Sequence, residues 1–337
     1  MIQSPPEALV VADSLSKRFS RELDLSEKLA RGLGFRVDAR GVQAVDRVGF
    51  SISRGEVVGL VGESGCGKST LGRMAAGLIA PSSGTVRYRG TDLSRARTKA
   101  ERRAALKVQM IFQDPFASLN PRMKVRDIVG EAPLVHGLVK REDLEDWVAS
   151  TLLRCGLDPA YMDRYPHQFS GGQRQRVGIA RALAVRPEFI VADEAVASLD
   201  VSIQAQILNL FMKLREELSL SYLFVSHSIG VVKHISSRVM VMYLGRLVEE
   251  GRTEEIFEKP NHPYTKALLR EVPRLEDRKA VYNPVQGEIP SPLDPPSGCH
   301  FHPRCPFAMP RCGEEVPRLA EIGPGRRSAC HLNESRA

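Results

Sequence analysis

No stretch of this sequence approaches the ~18 consecutive apolar residues that a membrane-spanning helix needs, because charges or glycines break every candidate, Val239–Leu244 included. The opening Met1–Pro6 has no basic region leading into an apolar core, so a secretory leader is not expected and a cytosolic setting is. Internal repeats and low-complexity tracts are missing too. So are zinc-finger, homeodomain and RNP patterns, which leaves the net charge of +8 as a weak pointer to nucleic acid. Cysteine is sparse, at six in 337 residues. In a cytosolic chain thiols stay reduced, so these six are expected to be buried or to bind metal rather than to form disulfides. What remains is an ordinary globular composition, 42% hydrophobic and 26% charged, in a chain long enough for two folding units or one large unit with an appendage.

Periodicity gives an alternation of strands and helices. Val48–Ser53 and Val57–Val61 read as two strands joined by the Arg54-Gly55-Glu56 turn, and Leu71–Ile79 has helical composition. A short strand at Val108–Phe112 precedes Gln113. Mostly helical spacing, broken by prolines, then fills residues 116–165. Another helical run ends near Val185, and the apolar strand Phe189–Ala192 stops at Asp193-Glu194. Ile203, Ile207, Leu210, Phe211 and Leu214 mark a helix before the strand Tyr222–Val225, which stops at Ser226-His227. This order predicts a mostly parallel α/β sheet with crossover helices and ligands at the strands' C-terminal ends. Arg21–Arg40 shows helical charge patterning without a motif. Beyond Pro260 lie more than half of the 22 prolines and four of the cysteines, which predicts an irregular extension pinned by a metal.

The strand–loop–helix at Gly62-Glu63-Ser64-Gly65-Cys66-Gly67-Lys68-Ser69-Thr70 fits the phosphate-binding loop. Its glycines let successive N–H groups face phosphate oxygens at the positive end of a helix. Lys68 can reach the β- and γ-phosphates, and the Ser69 hydroxyl can ligate Mg²⁺. Asp193 and Glu194 bring adjacent carboxylates to the same end of the sheet, one for the hydrated Mg²⁺ and the next to polarise water.

Together with Ser170-Gly171-Gly172-Gln173, Gln113, Asp200 and His227, in this order and spacing, the chain resembles the ATP-binding-cassette (ABC) family of ATPases from Ala8 to His331. The resemblance implies an α/β P-loop NTPase fold, a mixed-sheet nucleotide-binding domain over 8–259 with a helical subdomain at about 116–175. It implies that Gly62–Thr70 is the Walker A loop and Gln113 heads the Q-loop. Ser170–Gln173 is then the signature, Asp193 ends Walker B, and Glu194 is the catalytic carboxylate. Asp200 falls in the D-loop, His227 is the switch histidine, and Phe19 is a candidate for stacking on adenine. Mg²⁺ is then held by Ser69, Gln113 and Asp193. The signature offers a second anion nest to a nucleotide bound by another subunit, so one chain makes half of two sites. Three departures are visible: Ala195-Val196 for the usual Pro-Thr, Ala197-Ser198 for Ser-Ala, and Phe169 for Leu. None removes a phosphate-contacting or proton-handling group.

Gln113–Arg122, Asn261-His262-Pro263-Tyr264-Thr265 and the Cys299-x5-Cys305-x6-Cys312-x17-Cys330 pattern resemble the ATPase subunits of oligopeptide/dipeptide importers, whose C-terminal extension would occupy 260–337. That branch implies two membrane permeases docking near Gln113–Arg126, a second and paralogous ATPase chain, an extracytoplasmic binding protein, no nucleic acid, and a peripheral place on the cytoplasmic face of the inner membrane. Nickel, glutathione or another small solute remains an alternative cargo, and a soluble cassette acting on ribosomes or DNA a more distant one. Four thiolates suit either a [4Fe–4S] cluster or tetrahedral zinc. The spacings are wider than those of zinc knuckles and the resemblance implies the cluster, with His300, His302 and His331 near enough to substitute as ligands. Cys66 and Cys155 read as packing residues.

Overall fold

The computed structural model describes residues 8–20, 41–95, 98–270 and 287–336. The charge pattern read over Arg21–Arg40 lies outside the described residues. Strands β1 (Ala8–Ser20) and β2 (Gly41–Ser53) pair antiparallel, with Val10, Ala12 and Leu15 of one and Val45, Val48, Phe50 and Ile52 of the other buried. The turn at Arg54–Glu56 leads into β3 (Val57–Val61), which is buried at every residue, and a glycine loop then opens helix α1 (Lys68–Ala75). β2 and β3 do not form a hairpin. β3 is already paired in parallel on both edges, and β2 belongs to a separate sheet with order β2-β1-β4-β5, where β4 is Ser83–Tyr88 and β5 is Thr91–Asp92.

Helix α2 (Lys99–Ala105) starts at a capping box between Thr98 and Glu101, and β6 (Val108–Ile111) follows. The expected helical region is α3 (Pro115–Ser118), α4 (Val125–Val135) and α5 (Leu144–Arg154), leading to α6 (Gly171–Leu183). Its core includes the buried Val129, Val148 and Leu152. Phe169 is buried as well and meets Tyr161 edge to face at 5.7 Å, which explains how an aromatic is accommodated there.

Next come β7 (Phe189–Asp193), α7 (Val201–Leu218), β8 (Ser221–Val225), α8 (Ile229–Ile235), β9 (Arg238–Tyr243) and β10 (Arg246–Arg252). β6, β7, β8, β3 and β9 are neighbours in that order and all parallel. β7 and β8, like β3, are buried throughout, the pattern of parallel strands covered on both faces. Phe211 of α7 meets Tyr222 and Phe224 edge to face at 5.5 and 5.7 Å. Burying each such ring contributes about 1.5–3 kcal/mol.

The extension differs from the irregular segment that its prolines predict. Helices α9 (Thr253–Glu258) and α10 (Pro263–Arg270) precede α11 (Pro310–Glu314), and strands β11 (Ala320–Gly323) and β12 (Arg326–Ser328) lengthen the main sheet to β11-β12-β10-β9-β3-β8-β7-β6. α10 and α11 each begin at a proline, where no helical N–H bond is lost. Ion pairs fix the added strand: Arg326 meets the buried Glu249 at 2.9 Å and Arg327 meets Glu250 at 2.6 Å. Glu249 also accepts from the N–H groups of Asn261 and His262 at 2.8 and 2.9 Å.

Candidate functional site

The C-terminal ends of four adjacent strands meet one cleft. β3 runs into the glycine loop, β6 is followed by Gln113, β7 ends at Asp193-Glu194, and β8 is followed by His227. The cleft has a volume of about 270 Å³, and Ser64–Thr70 of the loop form its floor, with Gln113 and Glu194 at the side. Gly62 and Gly67 have φ of +154° and +105°, and a Cβ on either would fall 2.2 and 2.1 Å from the carbonyl oxygens of Met242 and Ala44. Only glycine permits this approach. Gly67 caps α1, whose N-terminal amides therefore point into the cleft.

Lys68 is 5% exposed and donates from Nζ to the carbonyls of Gly62 and Glu63 at 2.8 and 3.0 Å. Ser69 Oγ donates to Asp193 Oδ1 at 2.9 Å, which joins two of the three expected Mg²⁺ ligands, while the third, Gln113, donates to Glu194. Asp193 is 2% exposed. Burial is the largest influence on its carboxyl and holds its pKa above the ordinary value, with the Glu194 charge adding to the rise against the Ser69 hydrogen bond. The hydroxyl–carboxylate pair, an all-oxygen donor set at a buried position, fits a hard divalent cation.

Glu194 has φ +47°, in the left-handed region, and its N–H is tied to the Val225 carbonyl at 2.9 Å. A non-glycine residue held there is strained and needs its surroundings to fix it. Its Oε2 accepts from Gln113 Nε2 at 2.6 Å and lies 3.5 Å from His227 Nδ1. One carboxylate oxygen therefore faces both the expected Q-loop glutamine and the expected switch histidine. Ala195 and Val196, in place of Pro-Thr, are buried and keep the strand end packed.

Other expected residues do not enter this cleft. Ser170 is an exposed N-cap: its Oγ accepts the Gln173 N–H at 3.3 Å, and Gln173 Oε1 accepts the Ser170 N–H at 3.0 Å. Asp200 caps α7, accepting from Ile203 N–H at 2.9 Å, and that bond is the main cause holding its carboxyl below the usual range. Phe19 is half-exposed and does not line the cleft, whereas its cross-strand partner Val42 does. Val42, Gln43 and Ala44 with Leu244, Gly245 and Pro292 form the far wall, and sequence reasoning assigned none of them. The pairing of β1 with β2 was the one signal that could have moved attention from Phe19 to Val42.

In the extension, burial pushes the thiols of Cys299 (to about 11), Cys305 and Cys330 up, and charges within the four-cysteine set add to each rise. Cys299 N–H donates to the Cys312 carbonyl at 2.8 Å, which sets these two positions side by side. Among the described residues, however, no three His, Cys, Asp or Glu side chains are arranged to hold a metal ion. Cys66 and Cys155 are buried, as expected of packing residues.

Residues 45–197 match the family described as ABC transporter, and residues 248–312 match the oligopeptide/dipeptide transporter C-terminal region. The chain is 53% identical over 298 residues to the putative oligopeptide transport ATP-binding protein YkfD of Bacillus subtilis, covering 87% of this chain and 90% of that one. It is 48% identical over 292 residues to the dipeptide transport ATP-binding protein DppF of Haemophilus influenzae, covering 86% and 89%. Among solved structures, the dimeric cassette MJ0796 in a post-hydrolysis state with ADP and Pi has a TM-score of 0.61 at 26% identity, covering 72% of this chain and 98% of that one. For cbiO1 of Clostridium perfringens, part of the transporter complex cbiONQ, the TM-score is 0.60 at 27% identity, covering 75% and 92%.

Proposed function

The chain belongs to the ABC transporter family, in the branch that carries the oligopeptide/dipeptide transporter C-terminal region, and from that premise we propose that it is the ATP-hydrolysing subunit of an importer for di- and oligopeptides. The observation that carries the catalytic reading is the Glu194 carboxylate, which faces Gln113 and His227 one residue beyond the Asp193–Ser69 pair. In this reading Lys68 leaves the loop carbonyls for the β- and γ-phosphates, and Ser69 and Asp193, with Gln113, hold Mg²⁺. Mg²⁺ bound there would supply charge neutralisation at the phosphates. Glu194 accepts a proton from the attacking water as the water oxygen bonds to the γ-phosphorus. The bond to the β-phosphate oxygen breaks, leaving ADP and phosphate, and Gln113 and His227 respond to the γ-phosphate through the same carboxylate oxygen.

Ser170–Gln173 and Asp200 serve the site of a second cassette chain, a paralogue, while that chain completes this one. The exposure of Ser170 and Asp200, neither of which lines the cleft of its own chain, supports the division. The unit spanning 8–259 binds nucleotide and the extension spans 260–337. Two membrane permeases dock between the Q-loop and the helical subdomain, near Gln113–Arg126, where Phe116 is 62% exposed with the Arg174 guanidinium 3.8 Å from its ring centre. An extracytoplasmic binding protein delivers the peptide. Among the described residues no helix is long and apolar enough to cross a membrane. The subunit sits peripherally at the cytoplasmic face by holding the permeases. By the resemblance of their pattern, Cys299, Cys305, Cys312 and Cys330 would converge on a [4Fe–4S] cluster that staples the extension, a closer grouping than the described side chains show. Cysteine spacings wider than those of zinc knuckles support this over zinc.

Affinity isolation of the tagged chain from detergent-solubilised native membranes tests the function. Two multispanning permeases and a second cassette ATPase are expected to copurify, and ribosomal or DNA-bound partners alone would overturn the importer. Anaerobic purification followed by iron and sulfide analysis tests the cluster. About four of each per chain are expected, and about one zinc with no iron would refute it.

A further inference from the structure

The phosphate-binding loop is gripped from outside by the extension. Glu63, the first residue after Gly62, directs its carboxylate to Arg304, whose Nη1 and Nη2 donate to its two oxygens at 2.8 and 2.9 Å. The Arg304 side chain is 4% exposed, and Nη1 also donates to Tyr243 Oη at 3.3 Å. The backbone N–H of Glu63 donates to Tyr264 Oη at 2.8 Å. On the inner side, the Glu63 carbonyl accepts from Lys68 Nζ at 3.0 Å. One residue is thus bound on one side by the lysine expected to meet phosphate and on the other by two residues of the extension.

The base of this grip is rigid. Tyr243 and Tyr264 have ring centres 4.6 Å apart, and Phe301 lies 5.3 and 5.4 Å from them. Arg304 ends the short turn His302–Arg304, directly before Cys305. The charge matters as much as the shape, because a bare carboxylate in a loop that must receive a polyphosphate opposes anion binding. A buried bidentate guanidinium both cancels that charge and fixes its direction.

We propose that Arg304 and Tyr264 are positioning residues for ATP: acting through Glu63, they hold the start of the phosphate-binding loop and the place of Lys68, so the extension sets nucleotide affinity. The proposal rests on reading Gly62–Thr70 as the ATP site. It is tested by titrating the purified full-length chain with MgATP in a calorimeter, with thermal melting as a check on folding. Arg304→Gln is expected to weaken ATP binding about tenfold, Arg304→Lys less, and Tyr264→Phe about threefold. The Glu63→Gln/Arg304→Gln pair is expected to bind ATP more tightly than Arg304→Gln alone, because the stranded carboxylate is gone. General loosening of the extension cannot produce that rescue. In the assembled transporter Arg304→Gln is expected to raise KM for ATP while kcat stays within about twofold. Binding by Arg304→Gln within about twofold of wild type, or losses that simply add in the double variant, overturns the proposal. If Arg304→Gln does not fold, Tyr264→Phe carries the test, and wild-type affinity there overturns it as well. Lys68→Ala separates the two readings: undiminished ATP binding in that variant sinks the ATP site itself.

Discussion

The N-terminus of α1 and the N-terminus of α6 are both glycine-rich helix starts, yet they are furnished in opposite ways. At α1 the loop faces partners in the same chain: Lys68 on loop carbonyls, Ser69 on Asp193, and Glu194 across from Gln113 and His227. At α6 the exposed Ser170 spends its hydroxyl and its N–H on Gln173, and Asp200 likewise caps its own helix. The first end draws together the groups of the proposed reaction centre. The second has only stabilised itself, and its outward face is open to another molecule. That contrast is the structural argument for a site divided between two chains, and it holds only if lesions at the two ends behave differently.

The largest expected difference comes from Glu194→Gln. Removing the base should cut ATP hydrolysis by the assembled transporter about 10²–10⁴-fold while MgATP binding persists. Steady-state phosphate release beside equilibrium nucleotide binding reads both, and near-wild-type turnover would remove Glu194 from its role. Ser170→Ala should do something else. It deletes a cap at a cost of about 1 kcal/mol in thermal stability, leaves MgATP binding to the isolated chain unchanged, and lowers hydrolysis only when two cassettes are paired. Weakened binding in the isolated chain would collapse the contrast between the two helix ends.

Asp193 sharpens the comparison through pH. Because burial holds its folded pKa above the ordinary value, the folded state binds the proton more readily than the unfolded state. Ionised Asp193 therefore costs stability, and this cost disappears as pH falls through the raised pKa. Mg²⁺-dependent ATP binding should be lost over the same interval, which lies above that of an ordinary carboxylate. Asp193→Asn should raise the melting temperature of the nucleotide-free protein and abolish Mg²⁺-dependent binding, and a lowered melting temperature would contradict the burial argument. The smallest effect is expected at Cys66. Burial pushes its thiol up, away from the reactive thiolate, so Cys66→Ala should change ATPase activity by less than about twofold, and a complete loss would revive a role as a redox switch.

Much of the first end was legible because its chemistry is local in sequence. A glycine loop must follow a buried strand, and paired carboxylates must end another, so Gly62–Thr70 and Asp193-Glu194 stand out from residue order alone. The far wall of the cleft was not legible in this way. Phe19 answers a search for one aromatic, whereas the wall is made by Val42–Ala44, Leu244-Gly245 and Pro292, which come from three distant segments. The extension departs from its sequence pattern for a related reason. Proline content argues correctly against long helices, but β12 needs only three residues and the buried acids Glu249 and Glu250 to join the sheet, a pairing 77 residues apart that no local pattern records. The Glu63–Arg304 contact spans 241 residues and was equally invisible.

The most direct test of the divided site is the mass of the Glu194→Gln chain mixed with its companion cassette, measured by light scattering with and without MgATP. The account predicts separate chains without nucleotide, a stable pair with MgATP, and loss of that pair when Ser170→Arg is added. Failure to pair in MgATP, or pairing indifferent to Ser170, would contradict it.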